Sequence, residues 1–173
     1  MSKAFTRESD EPGAEEIPSF RPQLPPGSRN YITRDGADRL RQRLDVLLEE
    51  KQALATRSND AGTAFEADQR KLESAIRRLQ QTLDSVIVAE NPADQGKIAF
   101  GATVTIRHGN GEEGAYHIVG VEEAKPERGS ISWVSPLARA LLSRRAGDKV
   151  RFRSPSPTGD EELTIMTVRY SGG

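Results

Sequence analysis

The residues that could do chemistry in this chain are few. Cysteine is absent and only two histidines occur, which rules out thiolate metal sites and disulfides and argues against zinc. There is no glycine-rich phosphate loop and no nucleophile triad pattern, so an independent enzyme has little support. What remains is a set of acids around one turn: Asp60 lies within Ser58-Asn59-Asp60-Ala61-Gly62, with Glu66 and Asp68 just beyond it. Carboxylate oxygens suit hard cations such as Mg²⁺, but aspartate is also favoured in turns because it bonds the local backbone. A second cluster is basic: Arg144, Arg145, Lys149, Arg151 and Arg153. It could face nucleic acid, although with Phe152 as its one interleaved aromatic a solvated strand edge is the better reading. Trp133, the only tryptophan, is either core or an exposed docking anchor. His117 has apolar neighbours and reads as a hydrogen-bonded core histidine.

Two kinds of element must position these residues. Residues 1–29 hold five of the ten prolines, five acids and few apolar side chains, and read as a disordered tail. From Asn30 the pattern changes. Thr33 or Asp35 can cap a helix whose Leu40, Leu44, Leu47 and Leu54 recur at spacings of 4, 3 and 7. A second helix carries Phe65, Leu72, Ile76, Leu79, Leu83 and Val86, the last five alternating between spacings of 4 and 3. With turn residues between them, the two stripes predict an antiparallel coiled-coil hairpin over 30–91. Asn91-Pro92 is expected to break the second helix. Strands are then expected over 97–100, 103–107, 115–119, 130–134, 149–153 and 163–170. The turn His108-Gly109-Asn110-Gly111 joins the second to the third. One helix interrupts them, with Ser135 at its N-cap and Pro136 at its first position. Residues 96–171 thus form a small α+β domain, and the whole chain is α+β.

Charge and hydropathy bound the partners. The 25 basic and 26 acidic residues leave a net charge of −1, so any nucleic-acid contact must be local. No apolar run approaches the ~18 residues of a membrane helix, and no secretory signal opens the chain. A cytoplasmic protein without a membrane partner is expected. Each hairpin helix already has a partner within the chain, so a monomer is expected too.

Particular segments carry a resemblance. Ile131-Ser132-Trp133-Val134-Ser135-Pro136-Leu137-Ala138-Arg139-Ala140-Leu141-Leu142, followed by Gly147-Asp148, resembles the strand-to-helix signature of the bacterial Gre (GreA/GreB) transcription elongation and transcript-cleavage factors. The segments from Gly96 to Val104 and from Tyr116 to Gly120, and Asn30-Tyr31-Ile32-Thr33 with Gly36, Leu40 and Leu44, are similar to other parts of that family. The opening Met1 to Arg7 is similar to its GreB-like members. The resemblance implies an FKBP-like C-terminal domain that docks on RNA polymerase while the coiled coil enters the secondary channel, in indirect contact with nascent RNA and DNA. It makes Trp133, Ser135, Pro136, Ala138 and Arg139 candidate polymerase contacts. It implies no cofactor of the protein's own, since Mg²⁺ sits only in the polymerase active site and the polymerase cuts the RNA.

The tip departs from that family. Its members carry an aspartate and, three residues later, a glutamate; Thr56 and Asn59 fall at those positions here. Neither carries a charge that recruits Mg²⁺. Asp60, one residue out of register, is the only acid in the turn and a weak catalytic candidate. The coiled coil is also shorter by roughly a dozen residues, about 9 Å of reach. The reading is therefore an elongation regulator without efficient cleavage stimulation. The alternatives are a true GreB-like cleavage factor and a plain coiled-coil interaction module.

Overall fold

The computed structural model describes residues 23–56, 62–153 and 159–171. Strand β1 (Asn30–Ile32) leads directly into helix α1 (Arg34–Thr56), and α2 (Thr63–Ser85) returns beside it. Thr33 caps α1: its hydroxyl accepts from the Gly36 amide at 3.0 Å, satisfying one of the first-turn donors that a helix leaves unpaired. The stripe residues do meet, but two helices cannot enclose a seam. Only Leu47 and Ile76 are buried, whereas Leu40, Leu44, Leu54, Leu72, Leu79 and Leu83 stay half-covered. Lys51 and Glu73 bridge the two arms at 3.4 Å.

The second helix ends earlier than its apolar spacing predicts. Val86, expected in the stripe, begins strand β2 (Val86–Val88), so the helix ends at Ser85, seven residues before Pro92. Three consecutive β-branched residues favour extended backbone over helix. Their pairing partner is β1, in parallel, with Asn30 opposite Val86 and Ile32 opposite Val88. The ribbon thus ties the two ends of the hairpin at its root.

The remaining elements are β3 (Ala102–Arg107), β4 (Glu113–Val119), β5 (Ser130–Ser132), α3 (Pro136–Leu141), β6 (Lys149–Arg153) and β7 (Asp160–Tyr170). They build one sheet in the order β5-β4-β3-β7-β6, with β4 and β5 parallel and the other pairs antiparallel. The predicted hairpin turn is present: His108 donates to the Glu112 carbonyl at 2.8 Å, and Gly111 takes the left-handed φ of 88° that the tight reversal needs. A register shift between Thr105 and Ile106 bends β3 against β7. Alternation buries Ala102, Val104 and Ile106 on one face, where they join Ile118, Leu163 and Ile165; Ala138 and Leu141 of α3 close the core.

Residues 97–100 do not form the predicted strand. Lys97 makes a single bridge to Arg145, and the chain then turns at Gly101, whose φ is 82°. The segment is held instead by Ile98, which donates to the Arg144 carbonyl and accepts from the Ser143 amide, both at 2.8 Å. Residues 130–134 are strand only as far as Ser132, because the chain must turn to start α3. No helix among the described residues is long and apolar enough to cross a membrane.

Candidate functional site

Two regions hold the sequence-predicted site residues: the far end of the hairpin and the surface around α3. At the hairpin end, Thr56 is the last residue of α1 and is exposed, its hydroxyl donating to the Ala53 carbonyl at 2.8 Å. Asn59 and Asp60 lie outside the described residues. The acids beyond them are engaged by cations of their own helix: Glu66 by Arg70 at 3.1 Å and Asp68 by Lys71 at 3.6 Å. Among the described residues no group of three or more histidine, aspartate or glutamate side chains could hold a metal.

Around α3 the predicted residues divide. The Ser135 hydroxyl accepts from the Ala138 amide at 3.2 Å, so it is the helix cap. Pro136 and Arg139 are exposed on the same short helix. Ala138 is fully buried at 0% exposure and packs in the core. As a surface contact it is therefore corrected: a side chain that solvent does not reach cannot meet a partner. Trp133 is half-buried, its ring edge-on to Tyr31 with centroids 5.9 Å apart. Its Nε1 is enclosed and has no hydrogen-bond partner among the described residues. The ring therefore combines core packing with a place at the hairpin root.

The basic cluster is a strand edge facing acids. In the β6 and β7 pairing Arg151 lies opposite Glu162 and Arg153 opposite Asp160. Lys149 donates to Glu162 at 2.9 Å and holds its carboxyl below the usual range. Arg145 reaches Asp94 in the linker and does the same there, chiefly through its hydrogen bond. With Lys149 and Arg145 paired and acids in register opposite Arg151 and Arg153, the cluster makes a weak phosphate surface. His117 is not the hydrogen-bonded core histidine its neighbours suggest. It is only partly buried and lines a cleft of about 640 Å³ with Thr33, Asp35, Glu90 and Phe100.

Sequence reasoning missed two side-chain clusters. His108 meets Glu161 at 2.7 Å and Tyr116 at 3.4 Å, joining the β3–β4 turn to the start of β7. Glu123, in the loop after β4, accepts from Thr33 at the hairpin root. Neither has a local spacing signal, since the partners are 53 and 90 residues away.

Comparison with known proteins places this architecture. The family described as transcription elongation factor, GreA/GreB, C-terminal, matches residues 93–170, the span that holds β3 to β7. The transcription elongation factor GreA of Chloroflexus aurantiacus is 38% identical over 153 residues, covering 80% of this chain and 96% of that protein. The transcription elongation factor GreB of Pseudomonas putida is 34% identical over 159 residues, covering 84% and 97%. Among solved structures, GreA factor homolog 1 of Thermus thermophilus aligns over 82% of this chain and 99% of its own, with 24% identity and a TM-score of 0.38. From the hairpin root to the last strand, this chain belongs to the GreA/GreB family of transcription elongation factors.

Proposed function

We propose that this protein binds RNA polymerase at its secondary channel and regulates elongation without efficiently stimulating transcript cleavage. In this reading the α+β unit, of FKBP-like topology, docks on the polymerase, with Trp133, Pro136 and Arg139 at the contact and Ser135 fixing the helix that presents them. The hairpin enters the channel and meets nascent RNA and DNA only indirectly. The protein acts as a cytoplasmic monomer with no metal of its own, and any RNA cutting is done by the polymerase with its Mg²⁺.

The observation that carries the proposal is the chemistry at the end of α1. Thr56, aligned with the family's tip aspartate, presents a neutral hydroxyl already bonded to its own helix. Holding a catalytic Mg²⁺ takes carboxylate oxygens at bond lengths near 2.0–2.1 Å. Each arm is 23 residues long, about 34 Å, and a tip several ångströms short cannot be rescued by side-chain rotation. Such a protein occupies the channel and competes with cleavage factors.

The test is RNA cleavage in stalled, backtracked elongation complexes with Mg²⁺, with and without the protein, alongside binding to the same polymerase. Binding with intact RNA is the expected result. Stimulated cleavage that Asp60→Ala abolishes makes this a working cleavage factor and sinks the proposal. Absence of binding removes the polymerase-directed function altogether.

A further inference from the structure

At the hairpin root one carboxylate is withdrawn from solvent: the Glu123 side chain is 4% exposed. Its Oε2 accepts from the backbone amides of Thr33 at 2.9 Å and Gly120 at 3.2 Å. Its Oε1 accepts from the Thr33 hydroxyl and from Arg39 Nη2 at 3.3 Å. Thr33 and Arg39 belong to the start of the hairpin, whereas Gly120 and Glu123 belong to the loop that follows β4. The same Thr33 hydroxyl accepts from Gly36 and caps α1, so helix cap and inter-unit bond share one group.

The backbone around the carboxylate is shaped to admit it. A Cβ on Gly36 would overlap the Glu123 carboxylate, and one on Gly120 would overlap the Tyr31 carbonyl. Tyr31 adds a wedge, its ring 5.9 Å from both Phe100 and Trp133. Of the four groups facing the carboxylate, the two amides and Arg39 can only donate and the Thr33 hydroxyl donates here, so a carboxylate accepts from all four, whereas a glutamine must set its NH₂ against Arg39 and reverse the Thr33 hydroxyl.

We infer that Glu123 is a positioning residue that fixes the bearing of the hairpin on the sheet and thereby decides where the tip arrives. The lever is long: for an arm of about 34 Å, a tilt of about 10° at the root moves the tip by about 6 Å. This inference deepens the polymerase-binding reading and rests on it for its functional half, but the bearing is a property of the free protein.

The absence of cysteine allows two spin labels to be placed cleanly on the full chain, at Ala55→Cys near the hairpin end and Arg151→Cys on β6. Electron–electron distance measurement should give one narrow distribution. Glu123→Gln and Gly36→Ala should each broaden it or shift its mean by roughly 5 Å or more, on the same lever estimate, while Thr33→Ser, which keeps the hydroxyl, should not. Amide protection in β3 and β7 should be retained in all variants. An unchanged distribution in both Glu123→Gln and Gly36→Ala overturns the inference. So does loss of β3 and β7 protection in both, because Glu123 would then serve folding rather than aim.

A photo-crosslinker at Ala55→Cys, with RNA polymerase, reads the functional half. Crosslinking to the catalytic subunit per bound molecule should fall by roughly 10-fold or more in Glu123→Gln, as misplaced groups lose near-attack geometry steeply. If the parent chain does not bind polymerase, the functional proposal fails while the distance measurement still judges the clamp.

Discussion

Tyr170, near the end of β7, has a hydroxyl that works twice, donating to the Lys97 carbonyl at 2.5 Å and accepting from the Ala99 amide at 2.9 Å. These bonds replace the sheet ladder that residues 97–100 lack. Tyr170→Phe should cost about 1–2 kcal/mol in urea unfolding, because it leaves two backbone groups without their partner. Burial also pushes the phenol above its ordinary value. A raised folded-state value means that the fold favours the protonated form. Its stabilisation is complete below the unfolded value near 10 and is lost as pH rises through the folded one. The Phe variant should therefore show a shallower alkaline loss of stability. Trp133 presents the opposite case, an enclosed Nε1 donor with no acceptor among the described residues. Trp133→Phe removes that liability while keeping an aromatic against Tyr31, so its net cost should stay within about 1 kcal/mol. Trp133→Ala should cost about 3 kcal/mol, by lost packing.

At the scale of elements, α3 depends on its first residues. It is six residues long, too short to persist on propensity alone. Ser135→Ala should remove about 1 kcal/mol through the lost cap, and chemical denaturation with the sheet as reporter would show it. The β6–β7 pair gives an acid-side expectation. Lys149 lowers the Glu162 carboxyl and Arg145 lowers that of Asp94, so their contribution is present above the ordinary carboxylate range and fades as pH falls through the depressed values. Both acids are exposed, and salt should erase most of the effect. These elements also show what a sequence can disclose. Ser135-Pro136 and the His108 to Gly111 turn were legible because their signals are local. Val86 was misread because a stripe at spacing 3 and 4 continues smoothly into a β-branched triplet, whose strand exists only through β1, 56 residues earlier in register. Residues 97–100 have strand composition but only one bridge to pair with. Glu123 follows another glutamate in the sequence, and nothing nearby marks the donors that enclose it. Ala138 was legible as part of a signature, but not as the buried face of its helix.

For the whole molecule, the proposal that cleavage is not stimulated offers two separate reasons, missing charge and missing reach. The two are separable because the hairpin is a regular lever whose root is fixed by the β1–β2 ribbon and the Glu123 contacts. Thr56→Asp with Asn59→Glu returns the two acids of the family pattern without altering length. Inserting one heptad into each arm adds about 10 Å and preserves the apolar seam, since the stripes already follow the alternating spacing of a coiled coil. If reach is limiting, the acid pair alone should leave backtracked RNA intact, the heptads alone should also leave it intact, and only the combination should yield Mg²⁺-dependent cleavage products. Cleavage from the acid pair alone would mean that the parent hairpin already extends far enough and that charge is the whole deficit. The channel-binding reading survives either result, but the proposed lack of cleavage stimulation would then rest on the identity of two side chains and not on the length of two helices.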